Sequence, residues 1–169
     1  LGIGNPDLPP SETTINELIE ASVDRKNHGY QLYKGIPELR KTFSEWYNNS
    51  YNVILNPEEE ILPLLGSKEG IVHTSLAFLN DGDEVLVPNP GYLAYTNATR
   101  LAGGVPIPYK LNDVSNWYPD FNILEKTNLE KVKLMWVNYP HMPTGVMGSV
   151  TLFQSLIKFG RNHNILICH

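Results

Sequence analysis

The chain has 169 residues, with 13 Lys+Arg against 18 Asp+Glu and a net charge of −5, which is room for a substantial core in one domain or a little more. A composition of 41% hydrophobic and 18% charged residues argues against disorder, and no basic stripe is present to neutralise nucleic-acid phosphates. No apolar run reaches the roughly 20 residues of a bilayer span, and the lone Cys168 excludes an internal disulfide framework or a Cys-rich zinc site. The expectation is a reduced, soluble, cytoplasmic protein with no nucleic-acid, membrane or metal partner.

In chain order, Pro9-Pro10-Ser11-Glu12 ends an extended stretch, and Ile15, Leu18, Ile19 and Val23 then recur at helical spacing. His28-Gly29-Tyr30 through Lys34-Gly35 is a loop. Ile36-Pro37 opens a second helix with the apolar stripe Leu39, Phe43, Trp46 and Tyr47. Asn48 to Asn56 is a polar break, and Glu58-Glu59-Glu60 reads as a solvated helix start. A boundary near Pro57 separates an N-terminal small-domain part, 1–56, from an α/β part, 57–169.

Beyond it the pattern alternates. Ile61 to Leu65 reads as a strand, followed by Gly66-Ser67-Lys68 and a helix carrying Ile71, Leu76 and Leu79. Asn80 to Asp83 is a turn, Glu84 to Val87 a strand, Tyr92 to Leu101 a helix, and Val105 to Pro108 a strand after Gly103-Gly104. Phe121 to Lys126 is a short helix, Lys133 to Val137 a strand, Thr151 to His163 a helix, and Ile165 to Cys168 a final strand. Strands alternating with helices of this length imply an α/β fold with a mostly parallel sheet and helices on both faces. The opening Leu1-Gly2-Ile3-Gly4 and the closing strand at His169 give the expectation of a piece of a longer chain.

Ligands of such sheets bind beyond the carboxyl ends of the strands. Gly66-Ser67-Lys68 lets backbone N–H groups converge at a helix N-terminus, where a phosphate is the natural guest. Its bland reading is a turn and a cap, and it is not a Walker A loop. Pro88-Asn89-Pro90-Gly91-Tyr92 stiffens a strand exit and places a flat ring at the mouth of the sheet, although an ordinary helix-start aromatic gives the same pattern. Asn138-Tyr139-Pro140-His141-Met142-Pro143-Thr144-Gly145 is a third strand exit. Together the three suit a phosphorylated aromatic cofactor. The five histidines lack metal-ligand spacing, and Cys168 reads as an inert packing residue.

These residues resemble the class I/II aminotransferases, pyridoxal-phosphate enzymes of fold type I. Gly4-Asn5-Pro6-Asp7 is similar to the family's early Gly-x-Pro-Asp, whose glycine lies beside the substrate carboxylate. Tyr30 with Gly35-Ile36-Pro37-Glu38-Leu39-Arg40 is similar to its Tyr…Gly-Ile-Pro-Glu-Leu-Arg, in which the tyrosine reaches the cofactor phosphate of the neighbouring subunit. Gly66-Ser67-Lys68 resembles the phosphate-cradling turn, Tyr92 the aromatic that stacks on the pyridine ring, and Pro143-Thr144-Gly145 the end of Asn-Pro-Thr-Gly. The resemblance implies pyridoxal phosphate as cofactor, transfer of an amino group between an amino acid and a 2-keto acid, and a homodimer. Met142 departs from it, standing where the family has an Asn bonded to the cofactor's phenolic oxygen. The pyridine-nitrogen Asp and the Schiff-base Lys are expected beyond His169, so the chain alone is expected to be inactive. A C–S lyase or decarboxylase of the same fold would keep every motif. So would a non-enzymatic, aminotransferase-like effector-binding domain.

Overall fold

A computed structural model describes residues 6–169, which fall into two units parting between Pro63 and Leu64. In the first, α1 (Glu12–Val23) begins where Ser11 Oγ accepts the Thr14 N–H at 3.2 Å, and Asp24 caps a 3-10 turn (Arg25–His28). Helix α2 (Pro37–Tyr51) opens with Pro37 at its first position. It continues past the break expected at Asn48, because Tyr47 and Tyr51, one turn apart, both pack edge or tilted onto Trp46 and each other. The helix stops at Asn52, which takes the left-handed conformation at φ 59° and returns its N–H to Asn48 O.

The apolar stripe of α2 stays 40–49% exposed, and the buried residue of this helix is Arg40. Its guanidinium donates to the carbonyls of Lys34, Gly35 and Pro57 and, at 2.8 and 2.9 Å, to both carboxylate oxygens of Glu58. The acidic run is therefore a turn rather than a helix start: Glu58 pairs with Arg40, and Glu60 accepts the Asn56 N–H at 2.7 Å. These bonds hold residues 57–58 in the first unit, so the units part later in the chain than the expected boundary near Pro57.

The second unit runs α3 (Ser67–Phe78), β1 (Glu84–Asn89), α4 (Leu93–Leu101), β2 (Val105–Lys110), α5 (Phe121–Leu124), β3 (Val132–Trp136), α6 (Val150–His163) and β4 (Leu166–Cys168). Residues 61–65 form no strand; among the described residues no neighbouring strand takes their backbone groups, and Leu65 is 98% exposed. The four strands make one parallel sheet in the order β2-β1-β3-β4. Alternate side chains of β1 and β3 enter two cores. Val85, Val87, Leu134 and Trp136 meet Ile71, Tyr95 and Ala98 of α3 and α4. Leu86 and Met135 meet Leu152, Leu156 and Phe159 of α6. Pro106 and Pro108 sit in β2 at the edge of the sheet, where a missing ladder donor is tolerated.

From β1 the chain steps outward to β2, then returns to the opposite side of β1 for β3 and β4. The sheet therefore has a topological switch point between β1 and β3. The crevice at the carboxyl ends of those two strands is where such sheets take ligands.

Candidate active site

Short turns fix which ends of the helices face that crevice. Asn80 to Asp83 carries α3 into the amino end of β1, with Asp83 Oδ2 accepting the Asn80 N–H at 2.8 Å, and Gly103-Gly104 carries α4 into β2. The strands being parallel, the N-termini of α3 and α4 both lie at the carboxyl edge.

Gly66 precedes α3 at φ 110°, a conformation that favours glycine, and a Cβ there would point into open space. No side chain caps α3, so the N–H groups of its first turn, which includes Ser67 and Lys68, remain available to an anion. Glu69 steadies the turn from behind by accepting the Leu65 N–H at 2.6 Å.

At the exit of β1, a Cβ on Gly91 would strike Pro88 O and lie 2.6 Å from Pro88 Cγ, so this tight loop requires glycine. Tyr92 follows, half-buried. Its ring stands at 90° to Tyr95, 5.8 Å between centroids, and Tyr95 stacks on Trp136 at 5.1 Å and 11°. A cleft of about 270 Å³ opens beside Tyr92, lined in part by Asn89, Thr96, Arg100 and Pro108.

At the exit of β3, Asn138 Oδ1 accepts the Met142 N–H at 3.0 Å, leaving the Met142 side chain 47% exposed. His141 is buried, with Nδ1 2.8 Å from Thr144 Oγ1. Burial lowers its pKa, opposed by the Pro90 carbonyl. His169, after β4, places Nε2 within 3.1 Å of the Tyr139 N–H and 3.0 Å of the Tyr139 carbonyl; one nitrogen serves one of them at a time, according to its protonation.

The second unit thus carries Gly66, Ser67, Lys68, Tyr92 and Met142 on segments that open onto one edge of its sheet. Tyr30 belongs to the first unit, on a loop where it is 92% exposed. Gly4 lies outside the described residues.

The family model described as aminotransferase class I and II matches residues 1–169. The chain belongs to the class I and II aminotransferases. It is 43% identical over 167 residues to the LL-diaminopimelate aminotransferase of Dehalococcoides mccartyi, covering 99% of this chain and 43% of that protein. It is 41% identical over 168 residues to the enzyme of the same name from Halothermothrix orenii, again covering 99% and 43%. Among solved structures, apo-BacF from Bacillus subtilis superposes with a TM-score of 0.95 at 36% identity, over 99% of this chain and 44% of BacF. An aminotransferase from Staphylococcus aureus gives 0.92 at 30% identity, over 98% and 44%. The chain thus spans less than half the length of these proteins, and its fold is that of fold type I.

The family uses pyridoxal phosphate, and the crevice fits such a group. An uncapped helix N-terminus beside an unencumbered Gly66 suits the phosphate, and a supported tyrosine face suits the ring. Met142 offers no side-chain donor. The sequence reading did not single out Tyr95 and Trp136, which back Tyr92. The signal available was alternation along β3, which puts Trp136 on the same face as Leu134.

Proposed function

We propose that the protein is a pyridoxal-phosphate aminotransferase moving an amino group between an amino acid and a 2-keto acid. The observation that carries the reading is the family match over the whole chain, with its glycine-led helix N-terminus, its Tyr92 loop and its Pro-Thr-Gly loop all at the carboxyl edge of one sheet. Pyridoxal phosphate, when bound, supplies the aldehyde and the electron-withdrawing ring on which the family's chemistry depends.

In this reading the first-turn N–H groups of α3 and the Ser67 hydroxyl hold the phosphate, and Lys68 adds positive charge without acting as the carbonyl-bonded lysine. Tyr92 stacks on one face of the ring, kept upright by Tyr95 and Trp136. Met142 lies at the ring edge and leaves hydrogen bonding there to other groups. Gly4 sits beside the substrate carboxylate, and residues 1–56 belong to the N-terminal segment and small domain. Tyr30, exposed on its loop, reaches the phosphate of a second copy in a homodimer. The free thiol of Cys168 suits a reducing, cytoplasmic compartment.

The test uses the full-length protein supplied with pyridoxal phosphate, amino-acid donors headed by LL-diaminopimelate, the substrate in the relatives' names, and 2-oxoglutarate as acceptor. Production of a new amino acid together with the donor's keto acid is the expected result. Release of ammonia or carbon dioxide without a new amino acid would replace transfer by lyase or decarboxylase chemistry. Cofactor binding with no turnover of any donor would leave an effector-binding role.

A further inference from the structure

The chain leaves β2 through residues 111–118 and β3 through residues 138–148, and β1 lies between those two strands in the sheet. Two tyrosines join the segments in opposite directions. Tyr139, in the β3 exit, donates its hydroxyl to Trp117 O at 2.8 Å, and Tyr118, in the β2 exit, donates its own to Met147 O at 2.8 Å. Their rings meet edge to face, 5.5 Å between centroids at 85°, so the two bonds and the ring contact form one clasp. Gly148 lets the end of the β3 exit lie against it, since a Cβ there would stand 3.0 Å from Tyr139 Cβ and 2.8 Å from the Phe153 ring.

The clasp closes on a turn that local propensity disfavours. Asn116 and Trp117 are consecutive left-handed residues, at φ 51° and 58°, and a side chain as bulky as Trp is strained there. Such backbone persists where its surroundings over-determine it. Here the Trp117 N–H reaches Asn112 O at 2.7 Å, and the Trp117 carbonyl is the one Tyr139 holds. Burial, with the neighbouring Tyr118 phenol adding to it, pushes Tyr139 well above the usual phenol range, so its hydroxyl keeps the proton it donates. Between Tyr139 and Met147 the β3 exit is bonded to itself: the His141 N–H reaches Val146 O at 2.7 Å, and Asn138 Oδ1 takes the Met142 N–H at 3.0 Å. Fastening both ends of this loop to one turn therefore fixes Met142 between them.

We propose that Tyr139 and Tyr118 are positioning residues: their crossed hydroxyl bonds clasp the β3 exit to the turn after β2 and so set where the Met142 loop stands at the crevice. The consequence for the cofactor rests on the function proposed above; the clasp between the segments does not.

The experiment takes the full-length protein as wild type, Tyr139→Phe, Tyr118→Phe and Tyr109→Phe. The last is a control that loses a hydroxyl bond of the same kind, to Trp136 O at 2.8 Å, made directly between β2 and β3. Amide exchange without cofactor is followed by mass spectrometry over 111–118 and 138–148, global stability by urea unfolding, and pyridoxal phosphate by titration and by the absorption maximum of the bound cofactor. Tyr139→Phe and Tyr118→Phe are each expected to speed exchange about fivefold in both segments, to weaken pyridoxal phosphate by a similar factor and to move the absorption maximum. Tyr109→Phe lowers the urea midpoint and leaves affinity and absorption at their wild-type values. Faster exchange confined to the segment that carries the substitution would overturn the clasp. Equal loss of affinity in Tyr109→Phe would overturn the positioning role, because lost stability alone would then account for it. If wild-type protein binds no pyridoxal phosphate, the functional reading fails, while the exchange still decides whether the segments are clasped.

Discussion

Replacing Arg40 tests which bonds hold the first unit together. The guanidinium is nearly fully buried, and its partners divide into main-chain carbonyls of Lys34, Gly35 and Pro57 and the Glu58 carboxylate, a side chain 61% exposed. Removing Arg40 leaves three carbonyls without their donor at about 1 kcal/mol each, the low end of the cost of an unmade bond because water can reach part of the loop. The exposed carboxylate, by contrast, regains hydration and loses only about 0.5 kcal/mol of screened attraction. Arg40→Leu should therefore destabilise the unit by about 3 kcal/mol and Glu58→Gln by under about 1 kcal/mol. Arg40→Lys should recover only part of the loss, since an ammonium cannot reproduce the planar fork. Urea unfolding followed by fluorescence reads this directly in a variant keeping Trp46, which lies in α2, and replacing Trp117 and Trp136 by Phe. If Glu58→Gln costs as much as Arg40→Leu, the ion pair rather than the carbonyls carries the energy, and the reasoning fails.

Burial pushes the Cys168 thiol up to about 11 from 9.0, so at pH 8 its thiolate is scarce and alkylation by iodoacetamide should run about 100-fold slower than in unfolded protein. Because the folded state favours the protonated thiol, the associated stability is fully present below pH 9 and is lost as pH rises toward about 11; a urea midpoint that holds steady across that window would contradict it. Gly91→Ala forces a methyl into Pro88 and should cost about 2 kcal/mol in unfolding experiments, with looser pyridoxal-phosphate binding through a displaced Tyr92; wild-type stability would mean the loop opens freely.

What could be read in the sequence depended on whether a residue's partners lay close by in the chain. Buried on both faces, β1 and β3 advertise themselves as short apolar runs, and the turn chemistry between them and the helices gives the α/β alternation directly. The loops carrying Tyr92 and Pro143-Thr144-Gly145 were legible for the same reason, each following a strand, whereas Gly66-Ser67-Lys68 follows residues that form none. Residues 61–65 show the limit: an apolar run is a strand only if another strand lies beside it, and the sequence does not say whether one does. The break expected at Asn48 fails likewise, because the Trp46, Tyr47 and Tyr51 rings stabilise a helical turn whose local propensities are weak.

Arg40 escapes a sequence reading for a sharper reason. It bonds chiefly to carbonyl groups, and every residue has a carbonyl, so no residue type marks the partner. Arg40 in a polar stretch and Glu58 in an acidic run look like solvated charges until the chain folds Pro57 and Glu58 back over α2. Residues that organise a loop through its backbone are thus the ones for which three-dimensional placement adds most. They are also where substitutions should separate loop order from the chemistry of the groups the loop presents.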